Sequence, residues 1–292
     1  PQGRDRFTVF GYIWFMRHET GNITRPDGTN IYWQSWCPHD TPGAVMLLVH
    51  GHGEYSDRYP YHVQRLTADG IAVYALDQRG HGQSSGQKGH IESIGDYRGD
   101  LAAFKQLAEA KCPGVPMFLY GHSMGSVVVL DFALRDPGGL KGLITSGVGL
   151  EPGTVAPKWK ILIAIILSPI WPTKSMELNV KGKDLTRDKD EIRDYDNDPA
   201  IHHKISARWG GEMLKTNKWI KAHPGDVKLP LFMQHGEADE VNLPEGTLDF
   251  IKTVTYPDAS YKTYPGSLHN IHADLDKEKV LTDLVDWIKA RA

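Results

Sequence analysis

The chain has 292 residues, enough for one large α/β domain or a domain carrying an insertion. Hydrophobic residues make up 40% and charged residues 24%, and a formal charge of -3 supplies no overall basic field, so nucleic acid is not an expected partner. Two cysteines, Cys37 and Cys112, are too few for a disulfide framework and lack metal-ligand spacing, which predicts free thiols.

In chain order, short apolar runs predict strands at 8–15, 30–36, 44–49, 72–76, 117–120, 140–145, 231–234 and 260–264. Amphipathic stretches between them predict helices at 59–69, 94–110, 126–135, 245–254 and 277–290. Strands alternating with helices predict an α/β fold, a mostly parallel central sheet with helices on both faces. In the last helix Val280, Leu284, Trp287 and Ile288 share one stripe, as core residues do. The alternation breaks between about 150 and 227, which divides the chain into a first core part at 1–150, an insertion at 151–227 and a second core part at 228–292. Within the insertion the charge run KGKDLTRDKDEIRD is expected to be a solvated face. The segment WKILIAIILSPIW, 159–171, is apolar on every side and too short to span a bilayer. It either packs inside the insertion or offers an apolar surface. Residues 1–20 lack the basic start and apolar stretch of a signal peptide, and localisation stays open, with a cytoplasmic or peripherally membrane-associated protein favoured.

The strongest chemical motif is YGHSMGS at 120–126, a G-x-S-x-G pattern where a strand meets a helix. Flanking glycines relieve crowding at such a strained turn and present the Ser123 hydroxyl at the carboxyl edge of the sheet. A serine hydroxyl needs a base and an orienting carboxylate, which in sheets of this type follow in the order Ser, acid, His on later loops. LFMQHGEADEVNL supplies Asp239, with Glu237 and Glu240 as rivals, and YKTYPGSLHNIH supplies His269, with His272 as a rival. His235 and His223 are less favourably placed, one ending a strand and the other preceding Pro224. Two backbone amides complete an oxyanion hole: Met124 after the nucleophile, and His52 in HGHGE after the third strand, whose side chain need not take part. HExxH is absent and His202-His203 show no carboxylate partner, so neither a metal nor an organic cofactor is expected.

Taken together, HGHGEYSDRY, LDQRGHGQSSG, GHSMG, DYDNDP, HGEADEV and GSLHNIH resemble the monoglyceride lipase family of α/β-hydrolases over nearly the whole chain. The resemblance implies an α/β-hydrolase fold with a cap inserted after the sixth core strand. It implies Ser123, Asp239 and His269 as the triad and the His52 and Met124 amides as the oxyanion hole. Glu54, Arg58, Tyr195 and His272 match residues at the polar end of the pocket, which holds the glycerol group. Glu54 and Arg58 also admit a simpler reading as a local ion pair bracing their loop. The apolar cap segment at 159–171 implies an acyl tunnel entrance and transient membrane contact. The implied reaction is hydrolysis of a lipid ester, monoacylglycerol first, with lysophospholipids and shorter carboxylic esters as alternatives and a non-catalytic binding scaffold as the reading from another class. Ser126, where relatives often have glycine, His52, where a small residue is common, and Tyr55, where histidine is often found, depart from the pattern.

Overall fold

The computed structural model describes residues 16–153 and 158–292, and the strand expected at 8–15 lies outside them. The first part runs through β1 (Met16–Thr24), β2 (Asn30–Pro38), β3 (Ala44–Val49), α1 (Pro60–Ala68), β4 (Ile71–Leu76), α2 (Ile94–Lys111), β5 (Met117–His122), α3 (Met124–Arg135) and β6 (Leu140–Ser146). The chain then leaves the sheet for α4 (Lys158–Ile170), β7 (Ser175–Glu177), α5 (Gly182–Leu185), α6 (Lys189–Asp196), β8 (Lys204–Ser206) and α7 (Ala207–Ala222). It returns with β9 (Leu231–Gly236), α8 (Pro244–Thr253), β10 (Ala259–Tyr264) and α9 (Lys277–Lys289).

Eight of these strands form one sheet among the described residues, in the order β1-β2-β4-β3-β5-β6-β9-β10. The six from β4 to β10 run parallel, while β2 is antiparallel to both of its neighbours. Parallel strands covered on both faces need apolar side chains in both directions, which is why β3 reads AVMLLV with every residue buried. Val45, Leu47 and Val49 face a cluster built with α2, α3 and α8, and Ala44, Met46 and Leu48 face a second one built with α1 and α9. The helix stripe Val280, Leu284, Trp287 and Ile288 is buried as expected.

Among the elements that the periodicity does not mark, two have evident physical reasons. β1, MRHETGNIT, lies at the sheet edge with most of its side chains in solvent, so it carries polar and charged residues rather than an apolar run. α7 contains Gly210 and Gly211, which disfavour an isolated helix. Here they let α4 approach: a Cβ on Gly210 would lie 3.0 Å from the Ala164 Cβ, and one on Gly211 would lie 2.7 Å from the Ser168 hydroxyl. The charge run is only in part a solvated face. Leu185 and Thr186 are buried, and Arg187 reaches the buried carboxylate of Asp274 at 3.1 Å.

Gly142 of β6 lies under Trp287, and an added Cβ would come within 2.5 Å of that ring. Gly142→Ala is therefore expected to lower unfolding stability by about 1–3 kcal/mol, as overpacking does. Gly225→Ala, where an added Cβ meets nothing within 4 Å, should stay within about 0.5 kcal/mol of wild type in the same denaturant titration. Equal stability of the two variants would contradict this packing.

Candidate active site

Ser123 joins β5 to α3 at φ 53°, the one non-glycine residue with positive φ among the described residues. Side chains enter that region only when the surroundings enforce it. An added Cβ on Gly121 would lie 2.5 Å from the Gly125 carbonyl oxygen, and one on Gly125 would overlap the Val49 carbonyl oxygen. Both glycines of the motif are thus required by close backbone approach. The Ser123 amide donates to the Ser146 carbonyl at 2.8 Å. Ser126 is no idle replacement for glycine, because its buried hydroxyl donates to the Gly121 carbonyl at 2.6 Å and accepts from the Ser146 amide at 3.2 Å.

Asp239 and His269 occupy the loops after β9 and β10, at the same sheet edge as Ser123. The His269 ring donates from Nδ1 to Asp239 Oδ2 at 2.7 Å, which leaves Nε2 as the nitrogen able to take a proton. Asp239 Oδ1 accepts from the Val241 and Asn242 amides at 2.9 and 3.0 Å. Burial works to raise the Asp239 carboxyl, but the charge of His269 and the hydrogen bonds from His235 and His269 outweigh it and hold the group below the ordinary carboxylate range. Glu237, a rival for the acid, turns away and accepts from the Thr263 hydroxyl at 2.6 Å.

Sequence reasoning missed His235. Its Nε2 lies 2.9 Å from the same Asp239 oxygen, and its Nδ1 lies 2.8 Å from the Thr247 hydroxyl. In the sequence His235 reads only as a histidine that ends a strand, which is why it is passed over.

Ser123 and His269 line one cavity between the sheet edge and the segment from α4 to α7. Its floor is polar, with Ser123, His122, His269 and Glu54, and its roof is apolar, with Ile161, Val180, Ile205, Trp209, Met213 and Leu214. Burial and the neighbouring charge of His269 push His122 down to about 4, so that ring is neutral near pH 7. His52 and Met124 border the same space. Met124 opens α3, where a first-turn amide has no partner within the helix.

The four residues matched to a head-group site divide into two pairs. Glu54 and Tyr195 line the cavity; Arg58 and His272 stand behind them. Glu54 and Arg58 form no local ion pair. Glu54 Oε1 instead accepts from the Gly51 amide at 2.7 Å and the Tyr59 hydroxyl at 2.5 Å, while Arg58 pairs with Glu191 of α6 at 3.4 Å. The Arg58 guanidinium lies 5.9 Å from the Tyr195 ring centre, and His272, the rival base, stacks on Tyr59 at 4.8 Å.

A mostly parallel sheet with a left-handed serine between strand and helix defines an α/β-hydrolase. A family model described as serine aminopeptidase, S33, matches residues 40–276. The chain is 31% identical to a monoglyceride lipase homolog of Monkeypox virus, covering 90% of this chain and 95% of that one. It is 29% identical to a monoacylglycerol lipase of Mycolicibacterium smegmatis, covering 89% and 93%. A soluble variant of the Saccharomyces cerevisiae monoglyceride lipase, solved with a substrate analog, superposes with a TM-score of 0.85 at 25% identity over 95% of this chain and 96% of that one. The chain belongs to the monoglyceride lipase family of α/β-hydrolases.

Removing the His235 ring takes a donor from Asp239 and leaves the Thr247 hydroxyl without its partner. His235→Ala is expected to cost about 1–3 kcal/mol of unfolding stability. A midpoint and slope matching wild type in urea would show that the second imidazole supports nothing.

Proposed function

We propose that the protein is a serine esterase that hydrolyses monoacyl lipid esters, with monoacylglycerol as the preferred class. Ser123 is the nucleophile, His269 the general base and acid, and Asp239 the carboxylate that orients the imidazole. Residues 151–227 form a cap over a core made of 1–150 and 228–292. The observation that carries the reading is the 2.7 Å contact of His269 Nδ1 with Asp239, in a histidine that shares its cavity with a strained serine.

The reaction runs in two halves. As Ser123 Oγ attacks the ester carbon its proton moves to His269 Nε2, and the imidazolium is stabilised by the ionised Asp239. The carbonyl oxygen becomes an oxyanion held by the His52 and Met124 amides, each worth about 2.7–4 kcal/mol in comparable enzymes. Collapse expels the alcohol, which takes its proton from Nε2. Water then attacks the acyl-enzyme by the same steps and releases the fatty acid.

Floor and roof divide the substrate. The apolar roof accepts an acyl chain, and Glu54 and Tyr195 face a small polyol head, with His272 and Arg58 positioning them from behind. Recognition of a free amino terminus is disfavoured, because Glu54 is the sole carboxylate among the described lining residues and its Oε1 already holds the Gly51 amide and the Tyr59 hydroxyl.

A panel of monoacylglycerols, lysophosphatidylcholine and nitrophenyl esters of increasing chain length tests this reading. Monoacylglycerol should be turned over fastest, a fluorophosphonate should label wild type and spare Ser123→Ala, and Asp239→Asn should lose roughly 10⁴-fold in turnover. Folded wild type that resists the probe would favour a binding scaffold. Acetate esters cleaved as fast as long-chain ones would overturn the acyl assignment.

We also propose that α4 rests on lipid surfaces. Ile161 and Ala164 line the cavity, while Leu162 and Ile166 are 57% and 52% exposed beside exposed Trp159, Ile170 and Trp171. No helix among the described residues is long and apolar enough to cross a membrane. Leu162→Ser with Ile166→Ser should depress hydrolysis of vesicle-borne substrate several-fold more than that of a soluble ester. Equal effects on both would remove the lipid contact.

A further inference from the structure

Three histidines from distant parts of the chain meet beside the cavity: His52 after β3, His81 after β4, and His202 between α6 and β8. One ring nitrogen from each can be chosen so that all three lie within 4.8 Å of one another. The ring centres are 4.6 Å apart for His81 and His202, 5.3 Å for His52 and His81, and 5.4 Å for His52 and His202.

The hydrogen bonds of the cluster orient it. His81 Nδ1 is 3.0 Å from the Arg79 carbonyl oxygen and His202 Nε2 is 3.1 Å from the Gly80 carbonyl oxygen. A carbonyl only accepts, so those nitrogens carry the protons, and His81 Nε2 and His202 Nδ1 present lone pairs. Both lone-pair nitrogens are buried without a hydrogen-bond partner. Bare buried acceptors each cost about 1–3 kcal/mol, and gathering several in one place compounds the cost unless something electrophilic binds them. An imidazole that donates one N–H to a carbonyl and turns the other nitrogen inward is the usual arrangement of a metal-ligating histidine.

We propose that His52, His81 and His202 bind one divalent transition-metal ion of the zinc class, clipping the inserted segment to two loops of the core. Imidazole donors suit zinc, copper and nickel rather than magnesium or calcium. Metal–nitrogen distances of about 2.0–2.1 Å require the three nitrogens to close in by roughly an ångström. The backbone already holds the partners together: the His202 amide donates to the Gly53 carbonyl at 3.0 Å, and Gly53, at φ 79°, has no room for a Cβ against the His202 carbonyl. His50 is not a fourth ligand, since its Nδ1 is 2.6 Å from the Gly51 carbonyl oxygen and its Nε2 accepts from the Gln78 amide at 2.9 Å. Three protein nitrogens leave a coordination position for water. The adjacent pair His202-His203 thus splits, with His203 on the cavity wall.

The test uses the full chain, dialysed against a chelator and titrated with cobalt(II) and then zinc. One equivalent of cobalt should bind with the visible absorption of a tetrahedral site and be displaced by zinc, and X-ray absorption of the zinc form should show three imidazoles. His81→Gln and His202→Gln should each weaken binding by at least roughly 100-fold, while His203→Gln should leave it unchanged. The absence of stoichiometric uptake by folded wild type would overturn the site, as would wild-type affinity in both ligand variants. Wild-type uptake and absorption are read without substrate, so they stand or fall independently of variant folding and of the esterase assignment.

Discussion

Ser123 holds a left-handed backbone conformation that costs a side-chain-bearing residue of the order of 1–3 kcal/mol, and the neighbouring strands and helix keep it there. Gly125 lies against the end of β3 so closely that an added methyl group would overlap the Val49 and His50 carbonyls. Ser126 and the Ser123 amide tie the turn to Ser146 on the other side. The position of Ser123 is therefore set by the packing of β5 between β3 and β6. Parallel strands make that possible, since the loops after β3, β5, β9 and β10 all emerge on one side.

Around this point the structure separates two kinds of surface. Charged and hydrogen-bonding groups sit on the sheet side: Asp239 takes two imidazoles and two amides, and Glu54 takes an amide and a hydroxyl. Apolar groups sit on the opposite side, contributed by the segment between β6 and β9. Hydrogen bonds around Asp239 and Glu54 fix those carboxylates, whereas an apolar roof can repack. The division joins a fixed polar floor to an adaptable apolar roof.

Much of this is legible in the residues because the core is a parallel sheet. The runs at 44–49 and 72–76 are apolar on both faces, and the glycines around Ser123 mark a turn that only such a context explains. Asp239 and His269 can be chosen from their loops by chain order, yet their neighbours cannot be ranked: nothing in the string separates His235, a partner of Asp239, from a structural histidine at a strand end. The insertion is least legible. Its glycine-bearing helix α7 depends on contact with α4, and Arg187 inside the charge run finds its partner Asp274 far along the chain. Contacts of that separation leave no local periodicity. The meeting of His52, His81 and His202 is of the same kind.

The tie between Arg187 and Asp274 has a mechanical side. Asp274 also accepts from the Leu268 amide at 2.9 Å, and the Asn270 amide donates to the Leu185 carbonyl at 2.7 Å, so the residues on either side of His269 are sewn to α5 and its following turn. Swinging the insertion away as one rigid flap would drag the imidazole off its carboxylate. That end is the pivot, and any widening that admits a long guest falls to the far end, where α4 leans on α7 through Ala164, Ser168 and a pair of glycines.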